Sequence, residues 1–420
     1  MRRLAGVLAF ALLVVGLSGS SAGSVAVAPP KSSAVLALVT TYNGSRLAWL
    51  DPATLRPLDR RSISLPGGAW SPVFSPGGRD IALGGLGTIG VKIVDARQMK
   101  VRARVAAARF TNRRLEPLAW PEPRRLLVLD SPQDALGARQ RLLVVDPVTK
   151  RTIARYPAER WLTWHTAGRR LVVLEQRDEA TDRLRLSVLG SSGRVLGATD
   201  IQLLPDQRSE SLFALPGFAV DESRGAAFLV GAETVTQVDL DSLRVTSIHL
   251  SHAGSVFARV LGLLEDEAQA KLGHGPSFSR QATFLGDGLL AVSGSTFADM
   301  RTLPAGLELV DTRSAIRRMI EPRALAHYFS QGLLLAFGVS WNGETGKSTG
   351  MGISAFAPDG TRLWSALGDE PVWLVEGAGG YAYVPTLGET YPAELRVIDL
   401  TTGAVIRTVR GEMPAFVVRD

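Results

Sequence analysis

An apolar run that ends in aspartate, or in an equivalent turn residue, recurs throughout the chain and limits its fold more than any other feature. The copies are Leu47–Asp51, Val91–Asp95, Leu142–Asp146, Leu184–Gly190, Val235–Asp239, Leu307–Asp311, Ile353–Asp359 and Leu395–Asp399. Most lie about 40 to 50 residues apart, a period that marks repeated four-stranded units. The one long gap, from Asp239 to Asp311, holds an insertion. Turn-forming residues follow the aspartates, as in 51–54, 146–149, 239–242 and 399–403. An aspartate carboxylate accepts hydrogen bonds from the backbone two residues on, so these residues read as turn formers rather than catalysts.

Around one copy the unit can be read strand by strand. Val73 and Phe74 end an apolar run at the turn 75–78, 81–83 is a second run, 91–94 a third, and 101–105 a fourth. Short β-branched runs punctuated by Gly, Pro and Asp are strands, not helices. The chain ends match the two halves of one such unit. Residues 416–418 read as a first strand, 35–39 as a second, and 47–51 as a third. Zipping the tail to the head removes the open edges that stacked sheets would otherwise leave. The expected fold is all-β: a closed β-propeller of four-stranded blades, the last completed by strands from both termini. Eight copies imply eight blades, or seven if Leu184–Gly190 is absorbed elsewhere.

The segments Phe74–Gly78 (FSPGG) and Val397–Gly403 (VIDLTTG) resemble the WD-repeat and YVTN-type β-propeller superfamily of exported bacterial proteins. The resemblance covers nearly everything after the leader and implies the fold. Its motifs carry no activity.

Arg2 and Arg3 precede an apolar, uncharged stretch from Leu4 to Leu17 and then small residues, the pattern of a secretory signal cut after Ala22. The expected organisation is a signal at 1–22, a short linker at 23–33 and a propeller at 34–420, in an extracytoplasmic or secreted protein. The chain has no cysteine, so it relies on neither disulfides nor a cysteine lipid anchor. No later stretch is apolar enough to span a membrane. The net charge of +7 is carried by scattered arginine pairs such as Arg124–Arg125 and Arg317–Arg318, unlike the clustered footprint of a nucleic-acid binder. Weak attraction to anionic wall polymers fits better, and a monomer is assumed.

The turns from first to second strands, and the aspartate turns, are short and share one face. The other face receives the long segments 131–140, 176–183, 205–214, 251–280, 293–305 and 340–350. Long loops on a rigid scaffold are where function is placed. Within 251–280, Phe257, Val260, Leu261, Leu264, Ala268 and Leu272 recur at helical spacing, which predicts a helix lying on that face. Trp70, Arg160, Trp161, Arg323, His327, Asp369, Glu370 and Trp373 fall at or near first strands and are the ligand-binding candidates for an aromatic and charged rim.

Known catalytic patterns are missing. Trp341 stands where a phosphate loop ending in Gly346-Lys347-Ser348 needs glycine, and there is no Gly-x-Ser-x-Gly elbow. His249, His252 and His274 have no diagnostic metal spacing, so no metal site and no cofactor are expected. The sequence thus favours a non-catalytic propeller that binds a small molecule, a protein or a wall polymer through its long-loop face. Two enzyme alternatives remain. Residues 359–364 resemble one quinoprotein-type repeat, which implies a quinone-dependent dehydrogenase, and a lactonase-like hydrolase is the other; either would work at the channel mouth.

Overall fold

The structure, a computed structural model, describes residues 31–41, 44–65, 69–86, 89–106, 113–132, 140–158, 161–176, 182–208, 216–252, 277–298, 301–385, 394–410 and 414–416. The described strands pair into eight four-stranded antiparallel units, all meanders from inner to outer strand. Unit 1 combines 414–416 with 35–65, and units 2 to 8 span 70–105, 113–157, 161–202, 217–249, 277–321, 326–366 and 376–410. Every aspartate-terminated run of the sequence is a third strand. The architecture is a closed β-propeller, and no described helix is long and apolar enough to cross a membrane.

The third strands are apolar on both faces because each unit is sandwiched between two others. In Arg141–Asp146, Leu142 and Val144 pack with Leu171, Val173 and Leu189 of unit 4. Leu143 and Val145 join Ile93 and Val105 of unit 2. Outer strands have one wet face, so Arg151–Pro157 alternates exposed and half-buried positions.

The repeated aspartates do build the corners. The Oδ1 of Asp95 accepts from the Arg97 and Gln98 amides at 3.0 and 2.8 Å, and that of Asp399 from Thr401 and Thr402 at 2.8 and 3.2 Å. An arginine from the first turn of the same unit adds a second grip: Arg79 on Asp95 at 3.2 Å and Arg124 on Asp146 at 2.7 Å. Burial opposes the charge on Asp146, but Arg124 and the Val148 and Thr149 amides outweigh it and hold that carboxyl at about 2. Four residues after six of the aspartates the backbone turns left-handed, at Leu55, Met99, Lys150, Leu243, Ala315 and Gly403 (φ 51 to 73°), whereas after Asp359 the left-handed residue is Gly360. Only the last of those six is glycine.

The two chain ends meet as the sequence predicts. Val39, Leu38 and Ala37 pair with Pro414, Ala415 and Phe416. Phe416 stacks on Tyr383 of unit 8 with ring centroids 4.7 Å apart, and the Tyr383 hydroxyl donates to the Pro52 carbonyl at 2.7 Å. Lys31 reaches Asp399 at 2.6 Å. Tryptophans dock neighbouring units in the same manner: Trp364 Nε1 donates to the Leu400 carbonyl at 2.8 Å.

Two segments read as loops are strands. Residues 293–298, 301–305 and 340–350 belong to long hairpins, Leu289–Ala298 with Arg301–Asp311 and Leu333–Asn342 with Lys347–Phe356. The hairpins pair with each other across units 6 and 7, Arg301 with Asn342 and Thr302 with Trp341. The helical reading falls on 253–276, outside the described residues, as does the leader at 1–30. At the insertion's ends, Ser251–His252 runs parallel to Ile316–Arg317, and Ser277 begins a strand.

Phe416 is 7% exposed, so Phe416→Ala should cost about 3 to 5 kcal/mol in urea unfolding, as for other buried aromatic truncations. Lys150→Gly, which relieves an exposed left-handed residue, should stabilise the fold by about 1 kcal/mol in the same measurement.

Candidate functional site

In an antiparallel meander the second-to-third turn and the link to the next inner strand leave from the same end. That end gathers the long hairpins of units 6 and 7 and the connections 322–325 and 367–375. Glycines let these segments touch. A Cβ on Gly350 would lie 2.0 Å from the Glu370 carbonyl, and one on Gly352 2.3 Å from the Ala366 carbonyl. The Gly352 amide donates to the Glu370 carbonyl at 2.9 Å.

Four candidates from the sequence share this rim. Arg323 donates to Asp369 Oδ1 and to the Gly350 carbonyl, both at 2.7 Å. Glu370 pairs with Arg396, and Arg301 with Glu344 at 3.0 Å. Trp373, on the approach to the inner strand of unit 8, is 45% exposed. The Arg323–Asp369 pair is largely exposed, and such pairs contribute little to stability, which leaves both groups open to a ligand.

The other candidates lie elsewhere. His327 is 2% exposed, in the inner strand of unit 7, with Nδ1 2.8 Å from Ser293 Oγ and Nε2 2.8 Å from Thr283 Oγ1. Burial lowers its pKa to about 3, so it is a neutral bridge between units 6 and 7. His165 is bonded to the Phe218 carbonyl at 3.2 Å and is lowered by burial to about 4. Trp161 packs into the core between units 3 and 4. Trp70 is half-buried, with Arg114 stacked on its ring at 5.1 Å and Ser71 bonded to Glu116 at 2.6 Å. Arg160 lies outside the described residues.

Sequence reasoning missed Glu376, at the start of the inner strand of unit 8. Burial raises its carboxyl to about 7, only partly offset by a hydrogen bond from Tyr328 of unit 7. Burial and the nearby Glu376 charge raise the Tyr328 hydroxyl in turn. Ser330 Oγ donates to the Gly377 carbonyl at 3.2 Å, tying the same two inner strands together. A carboxyl that titrates near neutrality beside a phenol can take up and release protons. Its approach from Trp373 through Val375 carries no signal in the sequence of a buried acid. Among the described residues no three His, Asp or Glu side chains converge as metal ligands.

No protein-family model matches the chain. No curated protein matches it either. Among solved structures, the dihydro-heme d1 dehydrogenase NirN in complex with DHE is similar at 16% identity over 92% of this chain and 75% of that one, with a TM-score of 0.54. Apo AztD from Citrobacter koseri is similar at 12% identity over 91% of this chain and 97% of that one, with a TM-score of 0.50. At these identities the likeness is one of fold.

The folded-state pKa of Glu376 lies above its ordinary value of 4.5, so its contribution is fully present below about pH 4.5 and is lost as pH rises through about 7. Glu376→Gln should flatten the fall in thermal stability between those pH values and make the variant the more stable form at pH 8.

Proposed function

We propose that the protein is an exported, eight-bladed propeller that binds a ligand or protein partner through the rim formed by units 6 to 8. The observation that carries this reading is the cross-unit pairing of the two long hairpins. It gives one face a rigid wall beside an exposed tryptophan and two charged pairs. Recognition surfaces concentrate binding energy in aromatic and arginine side chains held by such walls. The opposite face, among the described residues, carries the short first-to-second strand turns and the aspartate turns. The leader sequence supports export, and the surplus of arginine supports an anionic partner.

A second reading has one observation behind it. Glu376 and Tyr328 on adjacent inner strands suit proton transfer at the channel mouth, which would make the rim the entrance to a catalytic site.

The test is retention of a component from the native cell envelope on immobilised protein. The double variant Arg323→Ala and Trp373→Ala should lose about tenfold or more of what the wild type retains. Val148→Ala, in an aspartate turn on the other face, should lose nothing. Equal retention by all three proteins would remove the rim from consideration.

A further inference from the structure

The seam that the chain ends close holds a cavity whose lining includes none of the candidate rim residues. It measures about 450 Å³ and lies between units 1 and 8. Its accessible apolar lining comes from Val39, Leu55 and Val409, drawn from both units, with Leu50, Leu395 and Pro414 buried beneath it. Arg56, Arg407 and Arg410 border it. The volume is that of a small-molecule site.

The charge distribution says what would fill it. Arg410 shares Glu394 at 3.2 Å. Arg56 and Arg407 are exposed, and their side chains have no ion pair among the described residues. Two open guanidinium forks beside an apolar wall match an anion with a hydrocarbon chain, because the fork pairs with a carboxylate in two parallel hydrogen bonds. Among the described residues no aromatic side chain lines the cavity, so they give it no platform on which a base could stack.

We propose that this seam cavity binds a single-chain aliphatic acid. Arg56 and Arg407 hold the carboxylate, and the chain lies along Val39, Leu55 and Val409. The walls belong to the first and last units, so the ligand bridges the ring closure. Bound only by the closed ring, it stabilises that closure by mass action.

Dodecanoate, held below its micellar concentration, is the probe, titrated calorimetrically into the purified chain. Saturable one-to-one binding is expected, together with a rise in Tm. The double variant R56Q/R407Q, which changes only exposed side chains, should bind about tenfold or more weakly. Dodecanol, with the chain but no charge, should lose a similar factor, and acetate should give no heat. Unchanged affinity in R56Q/R407Q, or dodecanol binding as tightly as dodecanoate, overturns the proposal. Dodecanoate binding that persists in Arg323→Ala/Trp373→Ala keeps this site independent of the rim, so either reading can fail alone.

Discussion

The pairing of 414–416 with 35–41 is the constraint on which the remaining contacts depend. Each unit buries its two faces only because a neighbour stands on either side. Without closure, Val35, Ala48 and Leu50 of unit 1 and Tyr383 and Val397 of unit 8 would face water together. Joining two ends so distant in sequence carries a loop-closure cost that grows only slowly with length. The return is a full inter-unit core and the loss of two open edges. Phe416 is the centre of that return. It stacks on Tyr383, whose hydroxyl is anchored on Pro52, so residues from the beginning and end of the chain share one packing site. The exposed ammonium of Lys31 on Asp399 adds little beside this burial.

What the sequence made legible follows from this sandwiching. A third strand buried on both faces must be apolar at every position, and the corner after it must turn tightly, so apolar runs closed by aspartate stand out. The closing strands were readable for the same reason. The left-handed residue of most corners was not, because Leu55, Met99, Lys150, Leu243 and Ala315 have no common chemistry, and only Gly193, Gly360 and Gly403 have the residue type that favours such a backbone. The long hairpins were hidden by composition. Ser293, Gly294, Ser295 and Thr296 read as loop residues, as do 343–346. The pairing that makes their flanks strands comes from a neighbouring unit, which no local pattern encodes.

The candidate site was half legible. Arg323, Asp369, Glu370 and Trp373 follow from their places at or just before first strands. Counting positions along an inner strand could not separate His327 from a channel-facing histidine. Its role depends on Thr283 and Ser293, hydroxyls more than 30 residues away that meet it from unit 6. Glu376 was missed for a related reason: what marks it is burial against Tyr328 of another unit, not its own neighbours in sequence.

The buried and exposed polar groups then divide by a single rule. On the inner strands, where units press together, burial drives ionisable groups toward their neutral forms, downward for His327 and upward for Glu376. At the corners, amides together with an arginine, or with Lys31 in the case of Asp399, hold Asp146 and its counterparts charged. Charge that is both held and accessible remains at the ends of the strands, in the Arg323–Asp369 and Glu370–Arg396 pairs of the rim and in the Arg170–Asp241 and Arg313–Asp287 pairs of the other face. A ligand that trades places with one partner of such a pair disturbs no buried contact. A ligand for the inner strands must instead meet groups that resist ionisation. The strand ends are therefore where the fold admits charged recognition at least cost, and the interior is where it admits a proton.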